Sequence, residues 1–482
     1  MRSCLVVLFL IVTSSMAADP ADPVRQGGWS CSGAFTDLIV KLENNYIALK
    51  QRQLSGALQG YDERKGTFAE EVARTDGGAC TQVLQRFLSF FDDGHVFVFE
   101  RPEYAADELE AFRSEVQRDA MAVHELDVLL KQEGPSNGII GKWGDGRSEF
   151  AIVKSDGQYR AYVLASSVEG VQAGELKAVL SPADEEFEGT YYSYGHAPRY
   201  VRAGLYKEGT LLLFGAGVLW GRLDSTYSRE VEMIDASDPS RPTIKKLDDE
   251  STLLSIPSFL VDFRDFQAFL SGHDDTLSGT RNLVIDIRGN SGGNAIYFPL
   301  LALFANKTMP GGQGLVLASE DNLAYFQDQA KYSRIYKRVA KEIENNMGAI
   351  VDGPAYPKKT LKRAKTGIEN VAILTDEGCM SAAESFILHA RGVSDSVTTF
   401  GSPTAGVIDY TSVNILRLPS GSRNILFGYP TSTYHKNVPA EGYNESGIVP
   451  DVPIEHSVRD KVGFILEYLE RPTKPRASKA GP

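Results

Sequence analysis

Ser381 begins a run of small residues that could present a nucleophile at the start of a helix. Ala382 and Ala383 follow it, and Glu384 stands three positions after it. Small neighbours leave room for a substrate, and the backbone N–H after a nucleophile can stabilise an oxyanion. The same residues also describe a helix N-cap with a capping box that uses Glu384. On their own, these residues favour the cap over the nucleophile.

A glycine-rich turn from Arg288 to Gly293 could bind an anion. Its sequence, Arg-Gly-Asn-Ser-Gly-Gly, lies between the apolar run 283–287 and a helical stretch. Glycines let backbone N–H groups approach a ligand closely, and a helix start favours negative charge. The turn could therefore hold a phosphate or the oxyanion of an acyl-transfer reaction, or merely connect a strand to a helix.

His95 is the candidate base, and it follows Asp93 and Gly94 just after an amphipathic helical stretch. The ordinary histidine pKa of about 6.5 suits general-base chemistry, although a histidine beside a glycine turn is more often structural. His389 lies eight positions after Ser381 on the same predicted helix. That spacing is about 12 Å along the helix axis, which is too far for direct proton transfer. Histidines and cysteines show no metal-ligand spacing, so we expect no metal and no cofactor.

Composition restricts the classes of partner. The chain has 482 residues, of which 42% are hydrophobic and 23% charged, as in soluble globular proteins of two or three domains. The formal net charge of −13 argues against nucleic acid as a partner, because nucleic acid requires a basic surface. Beyond the N-terminus no stretch offers about 20 uninterrupted apolar residues, so we expect no stable membrane anchor.

The N-terminus predicts export. Arg2 precedes an apolar run at residues 5–12, and a stretch of small residues ends at Ala17 and Ala18. This pattern is typical of a secretory signal peptide cut near Ala17 or Ala18. We therefore expect the protein to be secreted or periplasmic.

An oxidising compartment gives the cysteines a role. Removal of the signal peptide leaves Cys31, Cys80 and Cys379. We expect a disulfide between Cys31 and Cys80, joining two parts of one helical region, in preference to two buried thiols. Cys379 would then be unpaired.

The elements that position these residues fall into five segments. Early in the chain apolar residues recur at three and four positions, which predicts helices. Strand pairs around Asp156-Gly157 and Glu208-Gly209 then predict hairpins. Farther on, short apolar runs alternate with helical stretches, which is typical of strands covered on both faces. We expect a signal peptide (1–18), a helical domain (25–132), a small antiparallel β domain (137–248), an α/β core (251–460), and a C-terminal helix and tail (461–482).

Several segments of the α/β core resemble the signatures of tail-specific, or C-terminal-processing, serine peptidases. These segments are Ser251–Phe259, which resembles the opening strand, Asp286–Gly293 (D-x-R-x-N-x-G-G), Val371–Glu384 (a strand leading to S-A-A-E), Gly401–Gly406 (G-x-x-T-x-G) and Gly447–Asp451 (G-[IV]-x-P-D). The last four segments are motifs of the family in the expected order, and this makes the resemblance specific. It implies a crotonase-like ββα core of the ClpP/crotonase type, with Ser381 as the nucleophile.

One departure indicates a branch of that family. Where the processing proteases carry a lysine base directly after the G-x-x-T-x-G turn, this chain has Val407. It instead looks like the branch of tricorn and interphotoreceptor retinoid-binding protein, whose N-terminal D-G-H-T motif resembles Asp93-Gly94-His95-Val96. The resemblance implies that His95 is the general base, and we expect kcat/KM to rise with pH through its ordinary pKa of about 6.5.

The resemblance also implies further site residues. The branch uses a glutamate shortly before the G-[IV]-x-P-D motif, where this chain has Asn444, with Glu445 beside it and Glu441 upstream. We carry Glu445 as the third catalytic residue, with the other two as alternatives. The expected oxyanion donors are the backbone N–H groups of Gly292, Gly293 and Ala382. Asp286 and Arg288 are expected to brace the turn.

Two functions follow from this resemblance. The first is a secreted serine peptidase that cleaves a peptide or protein substrate through an acyl-enzyme on Ser381, with His95 as base. The alternative is a catalytically decayed binding protein on the same fold that carries a small lipophilic ligand or a peptide.

The family often inserts a PDZ domain, but residues 137–248 show no recognisable carboxylate-binding glycine loop. The role of the β domain stays open, as a lid, a substrate platform or packing.

Overall fold

A computed structural model gives the fold of most of the chain. The predicted signal peptide at residues 1–18 lies outside the described residues, as do Glu441 and Glu445. No helix in the described part is both long and apolar enough to cross a bilayer. The structure describes residues 29–470 except 76–78, 102–103, 134–137, 184–185, 208, 215–217, 224–239, 357, 363, 365, 420–423, 436–441, 445, 456–457 and 459.

Four helices begin the described chain. They are α1 (Cys31–Asn45), α2 (Ile47–Ser55), α3 (Tyr61–Val72) and α4 (Cys80–Leu88). The Ser30 side chain caps α1, and Gly56 ends α2 in the left-handed conformation. A disulfide joins Cys31 to Cys80, which confirms the predicted pairing and ties α1 to α4.

The next elements are β1 (Phe97–Glu100), α5 (Ala106–Arg118) and α6 (Val123–Glu133), followed by a closed barrel. The barrel strands are β2 (Gly141–Gly144), β3 (Ser148–Ser155), β4 (Gln158–Ser166), β5 (Leu176–Ala183), β6 (Glu186–Tyr192), β7 (Pro198–Tyr206), β8 (Leu211–Phe214) and β9 (Val218–Arg222). All eight pair antiparallel, and β2 closes on β9 through Trp143 opposite Arg222. The barrel is filled by stacked aromatic rings such as Phe150 and Trp220, so it is a packed core.

A mixed α/β region follows, as predicted. Its elements are β10 (Thr243–Lys246), β11 (Ser251–Ser255), α7 (Phe263–Gly272), α8 (Asp274–Ser278), β12 (Asn282–Asp286), α9 (Phe298–Phe304), β13 (Thr308–Met309), β14 (Gly312–Leu317), α10 (Glu320–Gln329), α11 (Arg334–Asn345), β15 (Ile350–Tyr356), β16 (Lys359–Thr360), β17 (Asn370–Thr375), α12 (Ala382–Val393), β18 (Val397–Gly401), β19 (Tyr410–Arg417), β20 (Ile425–Thr433), β21 (Val452–Pro453) and α13 (Lys461–Glu470).

The main sheet of this region has the order β10-β11-β12-β17-β18-β21. Its strands are parallel except for β10, which lies within the range predicted for the β domain but pairs with β11. Helices cover both faces of the sheet. In β12, Leu283 and Ile285 pack against one apolar cluster while Val284 packs against another that includes Ile465 of α13. Burial on both faces explains the nearly continuous apolar run in this strand.

A second sheet joins the N-terminal region to the rest of the molecule. Its order is β1-β20-β14-β15, and β19 pairs with β20 as well. The N-terminal helices share one apolar cluster with Phe427 and Tyr429 of β20. This shared cluster fixes the segment after α4, which carries His95, against the α/β region.

Candidate active site

The geometry of the main sheet brings two loops together. Strands β12 and β17 are parallel neighbours, with Asp286 opposite Leu374. The turn after β12 and the loop after β17 therefore leave the same edge of the sheet. These loops carry the glycine-rich turn and Ser381, so the two sequence patterns meet where ligands commonly bind in α/β folds.

Ser381 lies at the start of α12 with an unusual backbone, at φ 52° and ψ −111°. A positive φ in a residue with a side chain is strained and persists only when surrounding contacts stabilise it. Glu384 supplies such contacts, because its buried carboxylate accepts hydrogen bonds from the N–H groups of Ser381 (2.9 Å) and Val407 (2.8 Å). It also accepts from Thr404 Oγ1 (2.6 Å) and the Gly406 N–H (2.8 Å). Burial raises the pKa of Glu384 to about 7, although these donors oppose the shift.

His95 lies against Ser381, although 286 positions separate them in the sequence. The distance from His95 Nε2 to Ser381 Oγ is 3.1 Å, and Nδ1 lies 2.8 Å from the carbonyl oxygen of Tyr410. A carbonyl only accepts, so Nδ1 must carry the proton that is donated to it. Nε2 is then the free acceptor in the neutral ring, as a base for the Ser381 hydroxyl requires.

Burial changes the titration expected of His95. The side chain is 2% exposed, and this burial lowers its pKa to about 4, against the smaller opposing effect of the Tyr410 carbonyl. The pKa of about 6.5 assumed from the sequence is therefore too high, because desolvation disfavours the charged ring. His95 is neutral throughout the physiological range and needs no deprotonation before it accepts a proton.

Asp93 holds the backbone of the segment that carries His95. Its carboxylate accepts from the His95 N–H at 2.9 Å and from the Tyr46 hydroxyl at 2.7 Å. The distance from Asp93 Oδ1 to His95 Nδ1 is 3.9 Å, which is too long for a hydrogen bond. Burial raises the pKa of Asp93 to about 6, although these two donors lower it. Asp93 therefore positions His95 through the main chain rather than through the ring.

Val407 stands where the processing proteases that this chain resembles carry a lysine, and it packs against the segment that carries His95. Val407 is buried, and a Cβ added to Gly94 would lie only 2.9 Å from Val407 Cγ2. Its side chain therefore touches the Asp93-Gly94-His95 segment directly.

The expected oxyanion donors differ in whether their N–H groups already donate a hydrogen bond within the protein. The Gly292 N–H donates to Asn290 Oδ1 at 2.9 Å. The N–H groups of Gly293 and Ala382 have no hydrogen-bond partner among the residues that the structure describes. A side chain at Gly292, where φ is +101°, would lie 2.9 Å from the Met380 carbonyl oxygen, so glycine is required there for the two loops to meet.

A cavity of about 540 Å³ opens beside these groups, and Ser381, His95, Gly293 and Ala382 all line it. Much of the remaining wall is aromatic. Six tyrosines contribute to the lining: Tyr297, Tyr325, Tyr336, Tyr356, Tyr434 and Tyr443. The cavity can hold a substrate group next to the reacting atoms.

Two of the three candidates for the third catalytic residue cannot be placed. Glu445 and Glu441 lie outside the described residues. Asn444 accepts from the Asp409 N–H at 3.2 Å and its own N–H donates to Asp409 Oδ2 at 2.9 Å, so it braces a loop. The group on His95 Nδ1 is the Tyr410 carbonyl, which sequence reasoning missed because every residue type has one.

Known proteins resemble this chain to different extents. Residues 251–454 match the model of Peptidase family S41, and no curated protein sequence matches the chain. Among solved structures, mature CPAF complexed with lactacystin is 12% identical, over 91% of this chain and 97% of that one, with a TM-score of 0.46. A protein from Parabacteroides merdae described as a peptidase is 12% identical over 92% and 98%, with a TM-score of 0.43. The photosystem II D1 C-terminal processing protease is 14% identical over 88% and 93%, with a TM-score of 0.35.

Proposed function

We propose that the chain hydrolyses peptide bonds through an acyl-enzyme on Ser381, as a member of Peptidase family S41, whose model matches residues 251–454. The family match confirms the resemblance to tail-specific serine peptidases and makes the chain a serine-type peptidase. The observation that carries the finer proposal is the distance of 3.1 Å between His95 Nε2 and Ser381 Oγ. His95 lies outside the matched residues, so its role rests on this geometry.

The proposed reaction has two halves. As Ser381 Oγ attacks the substrate carbonyl carbon, its proton passes to His95 Nε2, and the carbonyl oxygen becomes an oxyanion held by the Gly293 and Ala382 N–H groups. Collapse of the intermediate breaks the C–N bond, and His95 gives its proton to the leaving amine. A water molecule then attacks the acyl-enzyme in the same way, which releases the acid product and restores Ser381.

The Tyr410 carbonyl takes the orienting role in this proposal. It accepts from His95 Nδ1 at 2.8 Å, which fixes both the tautomer and the plane of the ring. When His95 becomes charged, the carbonyl dipole stabilises the imidazolium, as a carboxylate does in other hydrolases. The Asp93 carboxylate, 3.9 Å from Nδ1, adds a longer-range attraction.

The substrate group that enters the cavity is proposed to be a large apolar or aromatic side chain. Ser381 directly precedes α12 and Ser385 lies in its first turn, and both line the cavity with Tyr297 and Tyr434. The hydroxyls of Tyr297 and Ser385 lie 2.7 Å apart, so part of the polar lining is satisfied within the protein. Aromatic walls of this kind favour apolar side chains over charged ones.

We further propose that the protein is secreted or periplasmic. We also propose that its α/β core has the crotonase-like ββα fold. The Cys31–Cys80 disulfide supports export, because such bonds persist in oxidising compartments. A peptidase of this kind needs no cofactor for the reaction above.

The test combines covalent labelling with peptide cleavage. A fluorophosphonate should label the purified protein, and cleavage sites in a mixed peptide library should be enriched in large apolar or aromatic residues. Ser381→Ala should abolish both labelling and cleavage while changing the free energy of unfolding by only about 1 kcal/mol, the value of one lost hydrogen bond. Labelling that persists in Ser381→Ala would reject the nucleophile. An unreactive wild type that binds lipophilic ligands or peptides would favour the decayed binding protein.

A further inference from the structure

The barrel meets the catalytic loops through one tight hairpin. Strands β7 and β8 are joined at Lys207, whose φ is 52°, and the Thr210 N–H donates to the Lys207 carbonyl at 3.1 Å. A Cβ added to Gly378 would lie 2.6 Å from Tyr206 Cδ1, and one added to Gly289 would lie 3.1 Å from Leu211 Cδ1. Gly289 belongs to the glycine-rich turn and Gly378 to the loop before Ser381. The hairpin therefore packs on both loops.

Lys207 extends from this hairpin into the interior of the α/β region. Its side chain is 1% exposed, and Nζ lies 2.9 Å from Asp286 Oδ2. Nζ also donates to Ser255 Oγ at 3.0 Å, at the end of β11. Arg288 binds the same carboxylate through Nε at 3.0 Å and Nη2 at 2.9 Å. Asp286 is thus shared by one cation of the glycine-rich turn and one cation of the barrel.

Asp286 stays ionised in this setting. Burial raises the pKa of its carboxyl, but Arg288 and Lys207 lower it more strongly, so that it ends well below its ordinary range. A buried carboxylate with two cationic partners is held firmly in place, because a shift toward either one costs contact with the other. Asp286 ends β12, two residues before Arg288, where the turn that carries Gly293 begins.

Asp376 connects the hairpin to both loops a second time. Its Oδ1 accepts from the Gly289 N–H at 2.8 Å and from the Gly378 N–H at 3.0 Å. Its Oδ2 accepts from the Lys207 N–H at 3.4 Å. The hairpin is therefore bonded to Asp286 and Asp376, one carboxylate at the root of each catalytic loop.

We propose that Lys207 is a positioning residue for catalysis, through which the barrel holds the glycine-rich turn so that the Gly293 N–H faces the oxyanion. This inference rests on the proposed function, because it concerns the same site. It gives the barrel a role that differs from a lid or a substrate platform. The barrel then belongs to the catalytic apparatus even though none of its residues touches the substrate in the proposed mechanism.

The test replaces Lys207 with a neutral side chain of similar length. Lys207→Met should lower kcat by about tenfold or more, since small displacements of catalytic groups can cost about 100-fold. It should leave KM within about twofold, because the tyrosine-lined cavity is unchanged. The rate of fluorophosphonate labelling should fall with kcat. Lys142→Met, in β2 of the same barrel, is the matched control, since it breaks a half-exposed ion pair with Asp127 of α6 (2.9 Å), and its kcat should equal the wild-type value.

The outcomes separate this inference from the proposed function. If the wild type is not labelled at all, the proposed function fails. If the wild type reacts and folded Lys207→Met reacts equally fast, or loses activity only in proportion to its unfolded fraction, Lys207 is structural and the inference is overturned. Should Lys207→Met not fold, Ser255→Ala carries the test, because it removes only the hydrogen bond to Nζ. That variant should lower kcat at constant KM, and a wild-type kcat would overturn the inference equally.

Discussion

At the scale of single residues, the position of His95 depends on a close contact beside it. Gly94 packs directly on Val407, and a Cβ at Gly94 would lie 2.9 Å from Cγ2 and 3.2 Å from Cγ1 of that valine. Real Cβ atoms essentially never come within 3.0 Å of a neighbour, so an added methyl group must move one of the two segments. Since His95 is the next residue, its distance to Ser381 depends on this contact.

Gly94→Ala should therefore lower kcat by about tenfold or more, through displacement of His95 from Ser381. Adding Val407→Ala should restore much of the loss, because the remaining Val407 Cβ would lie at an ordinary distance of 3.7 Å. The measurement is kcat on one peptide substrate for the two single variants and the double variant. Wild-type activity in Gly94→Ala, or no recovery in the double variant, would contradict the account of this contact.

The sequence indicates the side chains proposed to react more readily than the groups proposed to orient them. Ser381 and His95 stand in local motifs, and the structure brings them within hydrogen-bond distance. The orienting Tyr410 carbonyl has no residue-specific pattern. The sequence indicates Glu384 only as part of a capping box, whereas its carboxylate also accepts hydrogen bonds from the loop at 404–407. Such roles depend on contacts between distant segments, which a single sequence does not record.

At the scale of elements, the disulfide fixes the helices that lead to His95. It joins Cys31 of α1 to Cys80 of α4, and α4 ends just before the segment that carries His95. The bond closes a loop of 49 positions, for which loss of unfolded-state entropy predicts a stabilisation of about 4 kcal/mol.

Replacing both Cys31 and Cys80 with alanine should lower the free energy of unfolding by up to about 4 kcal/mol. At low temperature, where the variant is still folded, kcat should stay near the wild-type value because neither sulfur touches the site. Urea unfolding and the temperature dependence of peptide cleavage measure the two effects. Unchanged stability would contradict the predicted stabilisation by the disulfide. Lost activity in fully folded protein would contradict the prediction that the disulfide does not affect the site.

Individual hairpins and strands could be predicted, but their assembly could not. The turns at Asp156-Gly157 and near Lys207 join adjacent strands, so local turn chemistry identifies them. Closure of the barrel depends on the pairing of β2 with β9, between residues about 80 positions apart. The pairing of β1 with β20 joins residues even farther apart. Neither contact leaves a periodic pattern in the sequence.

At the scale of the whole molecule, three parts of the chain combine in one site. The N-terminal segment delivers His95, the α/β region provides Ser381 and the two N–H donors, and the barrel reaches the catalytic loops through Lys207. The family match covers only the second of these parts. In the proposed mechanism the site is complete only when all three parts are packed together, so activity should depend on the tertiary structure of all three.

The central claim is that His95 accepts the proton of Ser381, and the rate of fluorophosphonate labelling as a function of pH tests it most directly. Burial lowers the pKa of His95 to about 4. The base must be neutral, so the rate should rise with pH through about 4 as His95 loses its proton. Asp93 and Glu384, with pKa values of about 6 and about 7, titrate above this rise. His95→Ala should lower the rate at neutral pH by about 10³-fold or more and remove the rise through about 4, whereas His124→Ala, at an exposed position, should match the wild type. Near-wild-type labelling of His95→Ala, or the same rise persisting without His95, would contradict the account.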